Sequence, residues 1–457
     1  MRIRRFAWGF VVLGLVAVLS GCGSNSKTTM APAPGVNFVT PAAATTITFG
    51  QAVTLNWQST DATSCNGSAS NAIGSAFNGI QPISSSATIA PTGSGTVTFT
   101  LTCSGPGGTV SSNSPLITVN PSILSSLLPA TITTVGSTLD PIEMGGNPYG
   151  LAIAPATAGL MTKGDLVVCN FNDGATNTQG LGTTIVGLHP TPGSNPYRIA
   201  QSAWLQGCAS LAFTSDGNLH ASAFSANAVP QIDPHGAVTN PLSAVTFAHP
   251  WGIAATSAGT YVSNLDGSID RIVGTQSTQI ISGFCGSGVP GAVFAPAGLT
   301  YDSSIDALYV VDSSSNSVVV FSKISAIGAG GVAVSGQCAS VAAPPTPMPT
   351  FSGPSAASAR VIAHGGPFIA PLSAALLSNG DLIVTNSDVD IATGQMPNLA
   401  IEVSPSLPGG FVGTPLQLDT TGIPGGLFGI VATTDAQGNQ WIYFNDDNAN
   451  AVMSITQ

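Results

Sequence analysis

Charge is what this sequence has least of. Asp, Glu, Lys and Arg make up 6% of its 457 residues, against about 25% in an ordinary globular chain. Glutamate occurs twice, at Glu143 and Glu402, and Lys plus Arg total 9. A bundle of surface helices needs Glu, Lys and Arg for its solvent faces, so that class is excluded. Among the nine basic residues, Arg2, Arg4 and Arg5 sit in the first five positions. The net charge of −11 therefore becomes more negative beyond them, a balance that repels phosphate backbones and argues against a nucleic-acid partner. The spacings CxxC, CxxCH and HExxH are absent, which removes zinc-ribbon, haem c and zincin readings. GxSxG is missing as well, so Ser-His-Asp catalysis has no anchor.

What remains is apolar and turn-rich. Hydrophobic residues make up 43%, with 54 Gly and 33 Pro. Acidic residues are almost all Asp, which suits turns and strand ends where Glu suits helices. The composition predicts an all-β chain.

The first residues carry an address. Arg2, Arg4 and Arg5 precede an apolar run, Ala7 to Leu19, too short to span a bilayer but of signal-peptide length. The run ends in Leu19-Ser20-Gly21-Cys22, which resembles the bacterial lipobox. The resemblance implies cleavage before Cys22 and acylation of its thiol, hence membrane attachment of an exported protein. Gly23 and Ser24 after the cysteine resemble the outer-membrane sorting pattern. Residues 1–21 are then the signal peptide and 22–35 a flexible tether rich in Ser, Thr, Ala and Pro. Six further cysteines, Cys65, Cys103, Cys169, Cys208, Cys285 and Cys338, are an even number in an exported chain and suggest up to three disulfides.

Residues 36–121 alternate in short strands. Val53, Leu55 and Trp57 share one face, as do Val97, Phe99, Leu101 and Cys103, and Gly- or Asn-containing turns separate the runs. The pattern predicts a small β-sandwich. The stretches GQAVTLNW (50–57), ATSC (62–65) and FTLTCSGPGG (99–108) resemble bacterial Ig-like modules, although Trp57 precedes both cysteines instead of lying between them. Cys65 and Cys103 are the natural pair. Nothing in this segment looks catalytic, and a spacer role is expected.

From residue 122 to 457 one pattern recurs six times. A turn leads to an apolar strand at Pro148-Tyr149-Gly150-Leu151, Cys208-Ala209-Ser210-Leu211, Pro250-Trp251-Gly252-Ile253, Pro296-Ala297-Gly298-Leu299, Pro371-Leu372-Ser373-Ala374 and Leu427-Phe428-Gly429-Ile430. Second strands end at Asn170, Ala223, Asn264, Asp312, Asn386 and Asp446, a spacing of about 55 residues, the size of one four-stranded propeller blade with its loops. Asn227, Asn316 and Asn450 follow three of these ends by four residues and should serve the same turns. The long step holds residues 330–366, rich in Ala, Pro and Ser, which read as a loop. Small residues at the start of each first strand suit a crowded hub, and residues 130–135 are placed to complete the last unit. The stretch 295–322, APAGLTYDSSIDALYVVDSSSNSVVVFS, resembles the NHL repeat. That resemblance implies a six-bladed β-propeller related to gluconolactonase-type lactonases and streptogramin lyases. Adjacent repeats pair Cys169 with Cys208 and Cys285 with Cys338.

In such a ring the first strands line a central channel. The residues before them, Asn147, Gly207, His249, Ala295, Ala370 and Gly426, would ring one mouth, with Tyr149, Trp251 and Phe428 just inside. Asn147, Tyr149, His249, Trp251 and Phe428 are the ligand-binding candidates, for a sugar, peptide or small apolar molecule. The competing reading packs the aromatics as core. Lactonase chemistry implies carboxylates holding a divalent cation, and this ring has none, so binding without catalysis is expected, with a metal-dependent lactonase or a lyase as the alternative. No cofactor is called for. Asp388 and Asp390 with Asp446 and Asp447 are candidates for Ca²⁺, but their spacing matches no EF-hand loop and turn capping is the favoured reading.

Overall fold

The computed structural model describes residues 30–127, 131–289, 292–336, 347–386, 398–407, 409–419, 423 and 425–456. Cys22, the signal segment, Cys338, Asp388 and Asp390 lie outside them.

Among the described residues nearly all regular structure is β-strand, with helix limited to a few short turns. Between Gly35 and Asn120, strands of alternating burial form three small sheets around one core. Val53–Thr60 shows why: Val53, Leu55 and Trp57 point inward while Thr54 and Gln58 face solvent. The indole Nε1 of Trp57 donates to the Pro82 carbonyl at 2.9 Å, which satisfies its one polar group. Cys65 and Cys103 form a disulfide, as expected. They are directly opposed residues on neighbouring strands of one sheet, so the bond staples a sheet to itself and does not join two sheets as in antibody domains.

Beyond this unit, the described residues build six sheets of four or more strands in succession, with one additional two-stranded hairpin, Ser287–Val289 and Ala292–Phe294. Their first strands are Gly146–Ile153, Cys208–Phe213, Pro250–Thr256, Pro296–Asp302, Pro371–Leu376 and Leu427–Thr434. Each pairs antiparallel with the strand that follows it. Each first strand packs against the first strand of the next sheet, and the sixth packs against the first, so the sheets form a closed ring. The closing sheet takes its outermost strand from the other end of the chain: Thr133–Ser137 pairs antiparallel with Ala451–Thr456. Closure of this kind leaves the ring without a free end.

Residues 330–366 depart from the expected loop. Val332–Ser335 and Thr350–Ser352 extend the third sheet, and Ala359–His364 is the fourth strand of the fourth sheet. The alternation that buries Val332 and Val334 spans only four residues, too few to stand out from an Ala/Pro/Ser background.

The hub explains the small residues. A Cβ on Gly252 would sit 1.9 Å from the Ala297 carbonyl oxygen, one on Gly429 2.4 Å from that of Tyr149, and one on Gly298 2.7 Å from that of Leu372. Neighbouring backbones converge there, and only glycine fits. Cys169 and Cys208 are bonded, tying the first sheet to the second. Cys285 is also disulfide-bonded, and its expected partner, Cys338, lies outside the described residues.

Candidate functional site

The front mouth of the ring is where the first strands begin. Four of the six residues leading into them adopt left-handed backbone: φ is +60° at Asn147, +71° at Gly207, +54° at His249 and +43° at Ala370. This conformation turns the chain sharply inward, and it is held from the preceding sheet. The Oδ1 of Asn227 accepts from His249 N–H at 2.9 Å, that of Asn316 from Ala370 N–H at 2.8 Å, that of Asn398 from Gly426 N–H at 2.9 Å, and that of Asn450 from Asn147 N–H at 2.7 Å. Asn227, Asn316 and Asn450 thus do more than shape their own turns. Each clamps the start of the next sheet.

Below this rim the candidate aromatics meet. Tyr149 stacks on Phe428 with ring centroids 3.7 Å apart and on Phe171 at 4.1 Å, and Trp251 stands edge-on to Tyr149 at 5.6 Å. His249 stacks on Phe224 at 4.7 Å, and its Nδ1 lies 3.0 Å from the Phe224 carbonyl. Tyr149, Trp251 and Phe428 are buried together with Ala209, Ala295, Ala297 and Leu372. They form a packed floor across the channel. Behind it, Gly150, Ser210, Gly252, Gly298, Ser373 and Gly429 surround a cavity of about 40 Å³, room for a few waters.

The mouth does hold a carboxylate. Phe224 and Leu265 each follow a second-strand end, Phe171 lies at the corresponding place in the longer second strand of the first sheet, and all three join the hub cluster. Asp447 occupies the same place after Asp446, and its side chain faces Asn147. With the Asn147 amide oriented by its surroundings, Nδ2 donates to Asp447 Oδ1 at 2.7 Å and Oδ2 at 3.0 Å, and its oxygen accepts from Asn172 Nδ2 at 3.1 Å. Asn172 Nδ2 reaches on to Asn177 Oδ1 at 3.1 Å. Burial, reinforced by the charge of Asp446, pushes the Asp447 carboxyl upward, and the two Asn147 hydrogen bonds work against that rise. The expected ring without a carboxylate is therefore corrected. The first-strand leads make up only part of the rim, and the residues after the second strands contribute to it as well.

The two glutamates lie elsewhere, as the register requires. Glu143 is 3.8 Å from the Arg198 guanidinium, and Glu402 is buried in the fifth sheet. Of the calcium candidates, Asp446 Oδ1 caps its own turn by accepting from Ala449 N–H at 3.0 Å. Asp388 and Asp390 lie outside the described residues. Among the described residues, no group of three or more His, Cys, Asp or Glu side chains is placed to hold a metal ion.

No family model matches the sequence, and no curated protein is similar to it. Solved structures are. Virginiamycin B lyase from Staphylococcus aureus is 14% identical with a TM-score of 0.41, covering 72% of this chain and 99% of its own. A gluconolactonase from Xanthomonas campestris is 12% identical with a TM-score of 0.46, over 72% of this chain and 90% of its own. The WD40 β-propeller domain of Doa1 is 8% identical with a TM-score of 0.40, over 71% and 97%. These neighbours are propeller-like, and the closed ring described above is of that class.

Proposed function

We propose that this chain is an exported lipoprotein, anchored through Cys22 to the outer membrane of the bacterial envelope. An Ig-like spacer then carries a six-bladed, NHL-type propeller. The front mouth binds a small polar ligand or a peptide end without transforming it. The observation that carries the reading is Asp447: a carboxyl held by Asn147 at the rim of an otherwise aromatic hub. Buried polar groups in such a place orient a ligand while the aromatic floor supplies contact area. The packed floor favours a ligand seated on the rim over one threaded through the channel.

The test is a thermal-melting panel of sugars, short peptides and small amines on the full mature chain. One class should raise Tm by mass action, and Asp447→Asn should remove that rise. A panel with no shift, or shifts indifferent to Asp447→Asn and His249→Ala, contradicts the proposal. A second reading, catalysis on a lactone or by elimination, is favoured by a carboxyl raised by burial at the mouth, a group suited to general acid–base work. It requires turnover that falls about 10²- to 10⁴-fold in Asp447→Asn.

A further inference from the structure

The sandwich and the ring meet at a pair of buried acids. Asp381 opens the second strand of the fifth sheet, Glu402 lies on the third, and both are almost wholly buried. Glu402 Oε2 accepts from Leu124 N–H at 2.7 Å and Oε1 from Ile123 N–H at 3.2 Å, so it receives the first turn of the short helix Ile123–Ser126 that follows the sandwich. Asp381 accepts from Asn379 Nδ2 at 2.8 Å, and because Ile383 is directly opposite Glu402 in the sheet, Asp381 and Glu402 are diagonal neighbours on one face. The same patch holds the sandwich directly. Ser404 and Ser406 donate to the Gly50 carbonyl at 3.0 and 2.6 Å, and Gln51 Nε2 donates to the Asn379 carbonyl at 3.1 Å.

Two neighbouring carboxyls in a buried site avoid facing like charge only while one of them is protonated. We propose that this junction is a proton-operated latch: Asp381 and Glu402 hold the linker helix and the sandwich against the ring while they keep a proton between them, and loosen both when it leaves. With the proton gone, two like charges face each other in a buried site, and each favours separation and water. Among the described residues, nothing cationic answers them. The linker turn presents Ser122 and Ser125, the sandwich turn Gly50 and Gln51, and the strand Phe411–Gln417 presents Val412 and Gly413. Tyr309 on the fourth sheet senses Asp381, and the Arg360 guanidinium beyond it is spent on the Pro405 carbonyl at 3.2 Å.

Burial raises both carboxyls, and for Glu402 the charge of Asp381 adds to it. Groups raised in the docked state bind protons there that the released state gives up. Docking is therefore strongest near the ordinary carboxylate range and is lost as pH climbs toward and past neutrality. Each proton released weakens it up to tenfold per pH unit.

Amide hydrogen exchange on the full chain tests this. Corrected for intrinsic rate, protection of Ile123 and Leu124 should fall at least about tenfold between pH 5.5 and 8.5, while hub amides such as Val310 keep theirs. Asp381→Asn leaves one ionisable partner and should flatten the profile, and Glu402→Gln should flatten it also if the first variant folds poorly. A flat profile in the native chain overturns the latch, as does a full pH slope retained in either variant.

Discussion

Asn450 and Asn147 stand at opposite ends of the ring's sequence, yet the Asn450 side-chain oxygen accepts the Asn147 amide proton at 2.7 Å. The bond repeats at the seam a clamp used between other sheets, where Asn227 holds His249 and Asn316 holds Ala370. Closure thus has two parts, a shared sheet at the outer edge and an amide clamp at the hub.

Asn450 has φ +47°, so its replacement must respect the left-handed turn. Asn450→Gly keeps the turn and deletes the acceptor, which orphans a buried N–H. It should lower stability by about 1–3 kcal/mol in urea unfolding. Asn450→Asp, which retains an acceptor, should lose less.

Two glycine substitutions should differ sharply. Gly252→Ala drives a Cβ into the Ala297 carbonyl, a backbone atom that cannot swing aside, and should abolish folding to soluble protein. Gly217→Ala, with φ +86° and open space around it, meets only backbone strain. Its cost should stay near 1–2 kcal/mol, read from the shift in Tm.

The hub floor should behave as a core. Phe428→Ala should cost about 3–5 kcal/mol. A double-mutant cycle between Tyr149 and Phe428, stacked at 3.7 Å, should give a coupling of about 0.5–1.5 kcal/mol. Coupling near zero would mean the stack is incidental.

Breaking the sandwich staple with Cys65→Ala and Cys103→Ala should cost about 2–4 kcal/mol. Because the bond lies within one sheet of the sandwich, the loss should appear as an earlier transition of that unit with the ring's melting unchanged.

Much of the ring is legible in the sequence because its demands are local. Crowded backbones require Gly150, Gly252, Gly298 and Gly429, and a small residue, Gly or Ser, returns at this place in each sheet. What crosses between sheets is not legible. Asn316 reads as a turn residue, and nothing near it announces a bond to an amide 54 residues away. In Asn445-Asp446-Asp447-Asn448 two adjacent acids leave open which one faces the hub. The usable signal was positional: Phe171, Phe224 and Leu265 occupy the slot that Asp447 fills. Glu402 has backbone N–H groups for partners, and these carry no side-chain signature at all.

The most direct measurement is a titration of the Asp447 carboxyl by carbon NMR in the full chain. Its carboxyl is raised in the folded state, so this group favours folding at low pH and that contribution fades as pH climbs from about 4 through the folded value. A midpoint above the ordinary aspartate range of about 4, together with a native stability that declines as pH rises through it and does not decline in Asp447→Asn, is the expected result. A midpoint at or below about 4, with a native stability whose pH dependence is the same in Asp447→Asn, would contradict the raised acid on which the binding site depends.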